Sequence, residues 1–127
     1  MSILPADMFS KVNPTSLVIE SSAASVIRNG TFSRVGPHLL HLRLSKNILK
    51  AVDKWTFAGL SELQSLDLAD NKIGALGQRG QFDSLGKLET LSLKNNHINR
   101  IADGAFSGLS SLKHLDLSGN QLTNVTK

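Results

Sequence analysis

His114, Asp116 and Ser118 alternate along a short stretch near the end of the chain, an acid, a base and a hydroxyl that in another setting could form an acyl-transfer nucleophile. Residues two apart on a strand face the same way but lie about 6.6 Å from each other. A nucleophile and its base need about 2.6 to 3.2 Å between heavy atoms, so this spacing predicts three exposed polar side chains and no catalytic residue. Metal chemistry fares no better. His38, His41, His97 and His114 are scattered, there is no cysteine, and a His114/Asp116 pair supplies two ligands where a zinc site takes at least three from the protein. No metal, cofactor or cofactor-binding residue is assigned. What remains is recognition. His41, Arg43, Asp67, Ser92 and Asp116 offer charge and hydrogen bonds, and Trp55, the single tryptophan, is a residue type enriched at interface hot spots.

Those residues lie within a pattern that repeats four times: Leu39-x-x-Leu42-x-Leu44-x-x-Asn47-x-Leu49, and its equivalents starting at Leu63, Leu88 and Leu112, 24 or 25 residues apart. A period of this size marks a solenoid in which each unit is a strand plus a return stroke stacked on its neighbour. Alternation along the strand turns Leu66 and Leu68 inward and Ser65, Asp67 and Ala69 outward. Arg43 and Asp67 then share one outward column on adjacent strands, near enough for an ion pair. The return strokes carry a second apolar set, Ile27/Phe32/Val35, Val52/Phe57/Leu60, Leu76/Phe82/Leu85 and Ile101/Phe106/Leu109, so four phenylalanines are expected to stack in a column. Asn47, Asn71, Asn96 and Asn120 fall where each strand ends. An amide both donates and accepts, so these four are read as a structural ladder that satisfies backbone groups of adjacent coils.

A degenerate copy precedes the four, with Leu17 and Ile19 as strand residues and Ser22 in place of the asparagine; a hydroxyl bridges less, so a looser first turn is expected. Leu4 and Phe9 have the separation of Ile27 and Phe32, which makes residues 1–13 the tail of a preceding repeat and 14–127 the repeat domain, with repeats starting near 14, 39, 63, 88 and 112. The third return stroke, Gly74 to Phe82, holds an extra residue and three glycines and is expected to be the most mobile segment.

The unit from Leu88 to Leu109, closed by Phe106-Ser107-Gly108-Leu109, resembles the typical leucine-rich repeats of animal extracellular proteins such as Toll-like receptors, Slit-like guidance proteins and adhesion receptors. The resemblance covers nearly the whole chain. It implies an α/β leucine-rich repeat solenoid: a curved right-handed coil with about five parallel strands on the concave face and loops or short helices as return strokes. It further implies a non-enzymatic protein-interaction module that binds a protein ligand or co-receptor, outside the cell or at its surface, as part of a longer parent.

Composition is consistent with one domain of 127 residues, 40% hydrophobic, with no stretch long enough to span a membrane. The pattern starts and stops inside a repeat, so the ends are expected to be uncapped and the chain a slice of something longer. Asn29-Gly30-Thr31 and Asn124-Val125-Thr126 are glycosylation acceptor triplets, whereas Asn13-Pro14-Thr15 is blocked by its proline. The chain carries a net charge of +4, yet the outward strand positions hold Arg43, Lys46, Lys94 and Lys113 against Glu20, Asp67, Asp70, Glu89 and Asp116. Nucleic-acid binding needs a focused basic stripe, which makes a protein partner the expected one. An intracellular scaffold, or a truncated product without an independent role, is the alternative reading, and the oligomeric state is not legible.

Overall fold

A computed structural model describes residues 2–4, 15–21, 23–27, 31–32, 36, 38–52, 55–76 and 82–122. Seven short strands run through them: β1 (Ser2–Leu4), β2 (Ser16–Val18), β3 (Ala24–Ile27), β4 (His41–Arg43), β5 (Ser65–Asp67), β6 (Thr90–Ser92) and β7 (His114–Asp116). β2, β4, β5, β6 and β7 form one sheet in chain order, parallel throughout. Its register places Leu17, Leu42, Leu66, Leu91 and Leu115 opposite one another. These are the five strands of the expected leucine-rich repeat solenoid.

The opposite wall is also paired. β1 lies parallel to β3 with Leu4 opposite Ile27, after an irregularity between Ser2 and Ile3, and Leu76 bridges Ile101 in the same sense. Between the walls sits one shared core. Leu42, Leu44, Leu49, Leu66, Leu68, Ile73, Leu91, Leu93 and Ile98 are buried, with Phe32, Phe57 and Phe82 behind them. Each such aliphatic side chain contributes about 1.5–3 kcal/mol when removed from water, and every one is covered from a neighbouring coil. The phenylalanine column resolves into two stacked pairs, Phe32 with Phe57 at 6.4 Å and Phe82 with Phe106 at 6.0 Å between ring centroids. Toward β7, the last described strand, the cover thins, and the inward-facing Leu115 is 39% exposed.

Among the described residues the return strokes are turns, such as 55–59 and 103–108, with no helix. Thr31, Thr56 and Ala105, each just before a core phenylalanine, are buried too. The sequence pattern did not single out this second column because its members are small and differ in polarity.

The asparagine ladder is continuous. Asn71 Nδ2 donates to the carbonyls of Leu44 and Leu68 at 3.0 Å and of Ala69 at 3.1 Å, while its Oδ1 accepts the Leu49 N–H at 3.0 Å. Asn96 makes the same contacts one coil on, to Leu68, Leu93, Lys94 and the Ile73 N–H. Asn47 reaches Ile19, Leu44 and Ser45, and Asn120 reaches Leu93, Leu117, Ser118 and the Ile98 N–H. Each amide therefore ties its own turn to the coil before it.

The same turn requires a left-handed backbone. Ser21, Lys46, Asp70 and Asn95 all have φ near +57°, and Gly119 takes +72°. At 119 glycine takes this conformation without strain, and a Cβ there would require the Asn95 side-chain oxygen to turn aside. Ser22 and residues 77–81, on which the expectations of a loose first turn and a mobile third return stroke rest, lie outside the described residues.

Replacing Asn71 by Ala leaves the buried Leu49 N–H without its acceptor and takes one of two donors from the carbonyls of Leu44, Leu68 and Ala69, which keep Asn47, Asn96 and the Lys46 N–H; it is predicted to lower stability by about 2–3 kcal/mol. Asn120→Ala, at a half-buried position where water can substitute, should cost about 1 kcal/mol. Urea titration followed by circular dichroism measures both; equal losses at the two sites would contradict this account.

Candidate recognition face

Two columns of side chains stand on the outer face of the five-stranded sheet. Register sets them, with Ser16, His41, Ser65, Thr90 and His114 in one and Val18, Arg43, Asp67, Ser92 and Asp116 in the other. Of the residues singled out from sequence, His41, Arg43 and Asp67 come together on β4 and β5. Ser92 and Asp116 continue the second column across β6 and β7. Trp55 does not join them: it begins the 55–59 turn of a return stroke, 54% exposed. Asn29 and Asn124 lie outside the described residues.

Around β4 the contacts cross from strand to strand. Arg43 Nε donates to Asp67 Oδ2 at 3.2 Å, with the two side chains 56% and 29% exposed. His41 Nδ1 and Ser65 Oγ are 2.8 Å apart. An ion pair as open as this contributes less than about 1 kcal/mol, so its consequence is orientation. The Asp67 carboxylate is held independently, since Oδ1 accepts the Ala69 N–H at 2.9 Å. Ser16, Val18, His41, Arg43, Ser65 and Asp67 line a hollow of about 330 Å³ on this part of the face. Val18 is the exposed apolar member, at 56%. Alternation alone points it outward, but nothing in the sequence separates it from the polar positions beside it.

Ser45, two residues after Arg43, falls on the outward side by strand alternation, yet it is buried, and its hydroxyl donates to Glu20 Oε2 at 3.0 Å. It lies past the end of β4, where the chain has begun to turn inward. Ser118 departs from expectation for a related reason. It follows β7 in a turn, so the 6.6 Å strand spacing does not hold, and its hydroxyl reaches Asp116 Oδ1 at 2.6 Å while its N–H donates to the same oxygen at 2.9 Å. This is a side chain closing its own turn. The serine proton points at the carboxylate with no histidine between, which is not the order that activates a nucleophile.

Elsewhere too, charged and polar groups are tied from one coil to the next. Lys87 Nζ lies 2.8 Å from Glu62 Oε2, Lys113 Nζ lies 4.0 Å from Glu89 Oε1, and Asn95 donates to Asp70 at 3.1 Å. No group of three or more His, Cys, Asp or Glu that could hold a metal occurs among the described residues. Nor is any helix among them long and apolar enough to cross a membrane.

The family model for leucine rich repeats matches residues 14–73 and 77–122. The chain belongs to the leucine-rich repeat family. Among solved structures, the crystal structure of a TLR13–ssRNA13 complex superposes with a TM-score of 0.88 and 31% identity, covering 95% of this chain and 17% of that one. This leucine-rich repeat chain thus resembles a Toll-like receptor ectodomain, as its repeats implied, and spans less than a fifth of that structure's chain. Its fold is that of a protein-interaction module, in a family that is typically non-enzymatic.

Hydrogen bonds from the Ser118 hydroxyl and N–H, with Lys94 nearby, hold the Asp116 carboxyl below its ordinary value of 3.8. A depressed carboxylate contributes stability above its unfolded value that is lost as pH falls through the folded one. Carbon-detected NMR titration should place Asp116 below an unfolded-peptide aspartate, and Ser118→Ala should move it back up. An unchanged Asp116 titration in that variant would show that the Ser118 hydroxyl does not set it.

Proposed function

We propose that this chain is the protein-recognition part of a receptor, adhesion or matrix ectodomain, outside the cell or at its surface, and that it takes a protein ligand or co-receptor on the outer face of the five-stranded sheet. The supporting observation is the face itself. Five register-locked strands hold two columns of mostly exposed side chains, none of which the core needs, while the hollow at β4 and β5 gathers apolar, cationic, anionic and imidazole groups within a few ångströms. The likeness to a Toll-like receptor ectodomain supports the receptor setting, and the acceptor triplets at Asn29 and Asn124 suit a secreted route.

The TLR13 structure is a complex with ssRNA, so single-stranded RNA is the second ligand class to weigh. Affinity for nucleic acid comes largely from neutralised phosphates. On this face Arg43 is engaged by Asp67 and Lys113 lies by Glu89, while Asp116 lies near Lys94. The pattern is mixed, with no basic stripe to follow a backbone, which favours a protein ligand.

Two measurements test the reading. A photo-crosslinking amino acid at Thr90, on the sheet face, should capture a protein on cells of the native host, whereas the same group at Asp103, in a return stroke, should not. Mass spectrometry of the native protein should find N-glycan on Asn29. Unoccupied triplets together with cytosolic protein would instead favour the intracellular scaffold. A short single-stranded oligoribonucleotide should show no gel shift at about 0.15 M salt; a shift abolished by Arg43→Gln would put RNA in place of protein.

A further inference from the structure

Arg43 is fixed at one edge of its guanidinium and open at the other. Its Nε is taken by Asp67 Oδ2, and that carboxylate is anchored on its far side by the Ala69 N–H, so the plane of the group is set before any ligand arrives. The two terminal amino groups have no partner among the described residues, and the side chain is 56% exposed. A guanidinium with two parallel N–H groups free is built for end-on pairing with a carboxylate. Directly across the strand pair stands Val18, 56% exposed in a face otherwise made of polar groups. Both line the same hollow of about 330 Å³, and so does His41, whose ring is held by Ser65.

We propose that Val18 and Arg43 together anchor an extended segment of the partner protein that presents an aliphatic and a carboxylate side chain two residues apart. This rests on the protein-recognition reading above and adds the chemistry of what is recognised. Same-face side chains of an extended segment lie about 6.6 Å apart. Neighbouring strands lie about 4.8 Å apart, and the long arginine side chain spans the difference. Electrostatics select the carboxylate over a phosphate. Arg43 and Asp67 sum to zero charge, so a dianion would meet the Asp67 carboxylate without a second free cation in the hollow, and it would gain nothing from Val18. A single carboxylate with an aliphatic neighbour uses both vacant contacts.

The test is an NMR titration of the full chain with three capped peptides that differ in one residue each, Gly-Leu-Ser-Glu-Gly, Gly-Leu-Ser-Gln-Gly and Gly-Ser-Ser-Glu-Gly. The first should shift the Val18 methyl and Arg43 Nε–H signals and bind about fivefold tighter than either of the others. In Arg43→Gln the Glu and Gln peptides should become equivalent, and in Val18→Ser the Leu peptide should lose its advantage. Both substitutions are outward and leave Asp67 and its turn intact, and an unchanged amide spectrum away from the hollow verifies the fold. Equal binding of the Glu and Gln peptides, shifts elsewhere on the sheet, or no shifts at all would overturn the proposal while leaving a positive crosslink at Thr90, and so the wider reading, in place. Failure of that crosslink together with Arg43 shifts only on adding an oligoribonucleotide would sink both.

Discussion

No coil of this chain can satisfy itself. Each has a strand of three residues, a leucine row on one side of it and a turn whose carbonyls point inward, and each of these finds its partner one coil away. The leucines of β5 are covered by those of β4 and β6. The carbonyls of Leu44 and Leu68 are taken by the amide of Asn71, and the N–H of Leu49 is taken by the same side chain. The hydrophobic term and the polar term thus impose the same stacking distance and the same register, which is the kind of agreement between local and global preference that selects one structure.

Register, once locked in the interior, is locked on the exterior. A slip by one residue would turn the leucines out, so the dry side forbids it, and the outward columns inherit a spacing that no outward residue had to specify. That is how Arg43 comes to lie against Asp67, and His41 against Ser65, with exposed contacts too weak to have arranged the strands themselves. The recognition face is a by-product of the core in geometry and independent of it in chemistry.

The difference between these two sides explains what could be read in advance. Leucine and asparagine positions are dictated by burial, so their pattern appears in the sequence and yields the strands, the core and the ladder. Outward positions obey no such rule, and alternation gave only their direction. It failed where strands end: Ser45 and Ser118 continue the odd-even count but sit past β4 and β7, in turns that carry them inward or fold them back onto Asp116. The left-handed column escaped notice because Ser21, Lys46, Asp70 and Asn95 share no chemical type that would mark it. The prominence of Val18 was invisible for a different reason, since exposure depends on neighbours that the pattern does not name.

Independence of face and core is incomplete, and its exceptions bear on how the face can change. In the second column Asp67 and Asp116 each accept an N–H two residues ahead, from Ala69 and Ser118, and Ser92 stands in the same relation to Lys94 at 3.5 Å. These acidic and hydroxyl side chains close the turn that delivers the chain to its asparagine, so they are held by two demands at once. Arg43, at the matching position of β4, is a donor without that duty, and Val18 has no polar group to offer. Selection on ligand contact can act on these two without disturbing a turn, whereas a change at Asp67 alters both the turn and the orientation of Arg43. The part of the column least constrained by folding is therefore the part that carries the open hollow, and specificity in such a solenoid is expected to concentrate where the outward residue has no second task in its own coil.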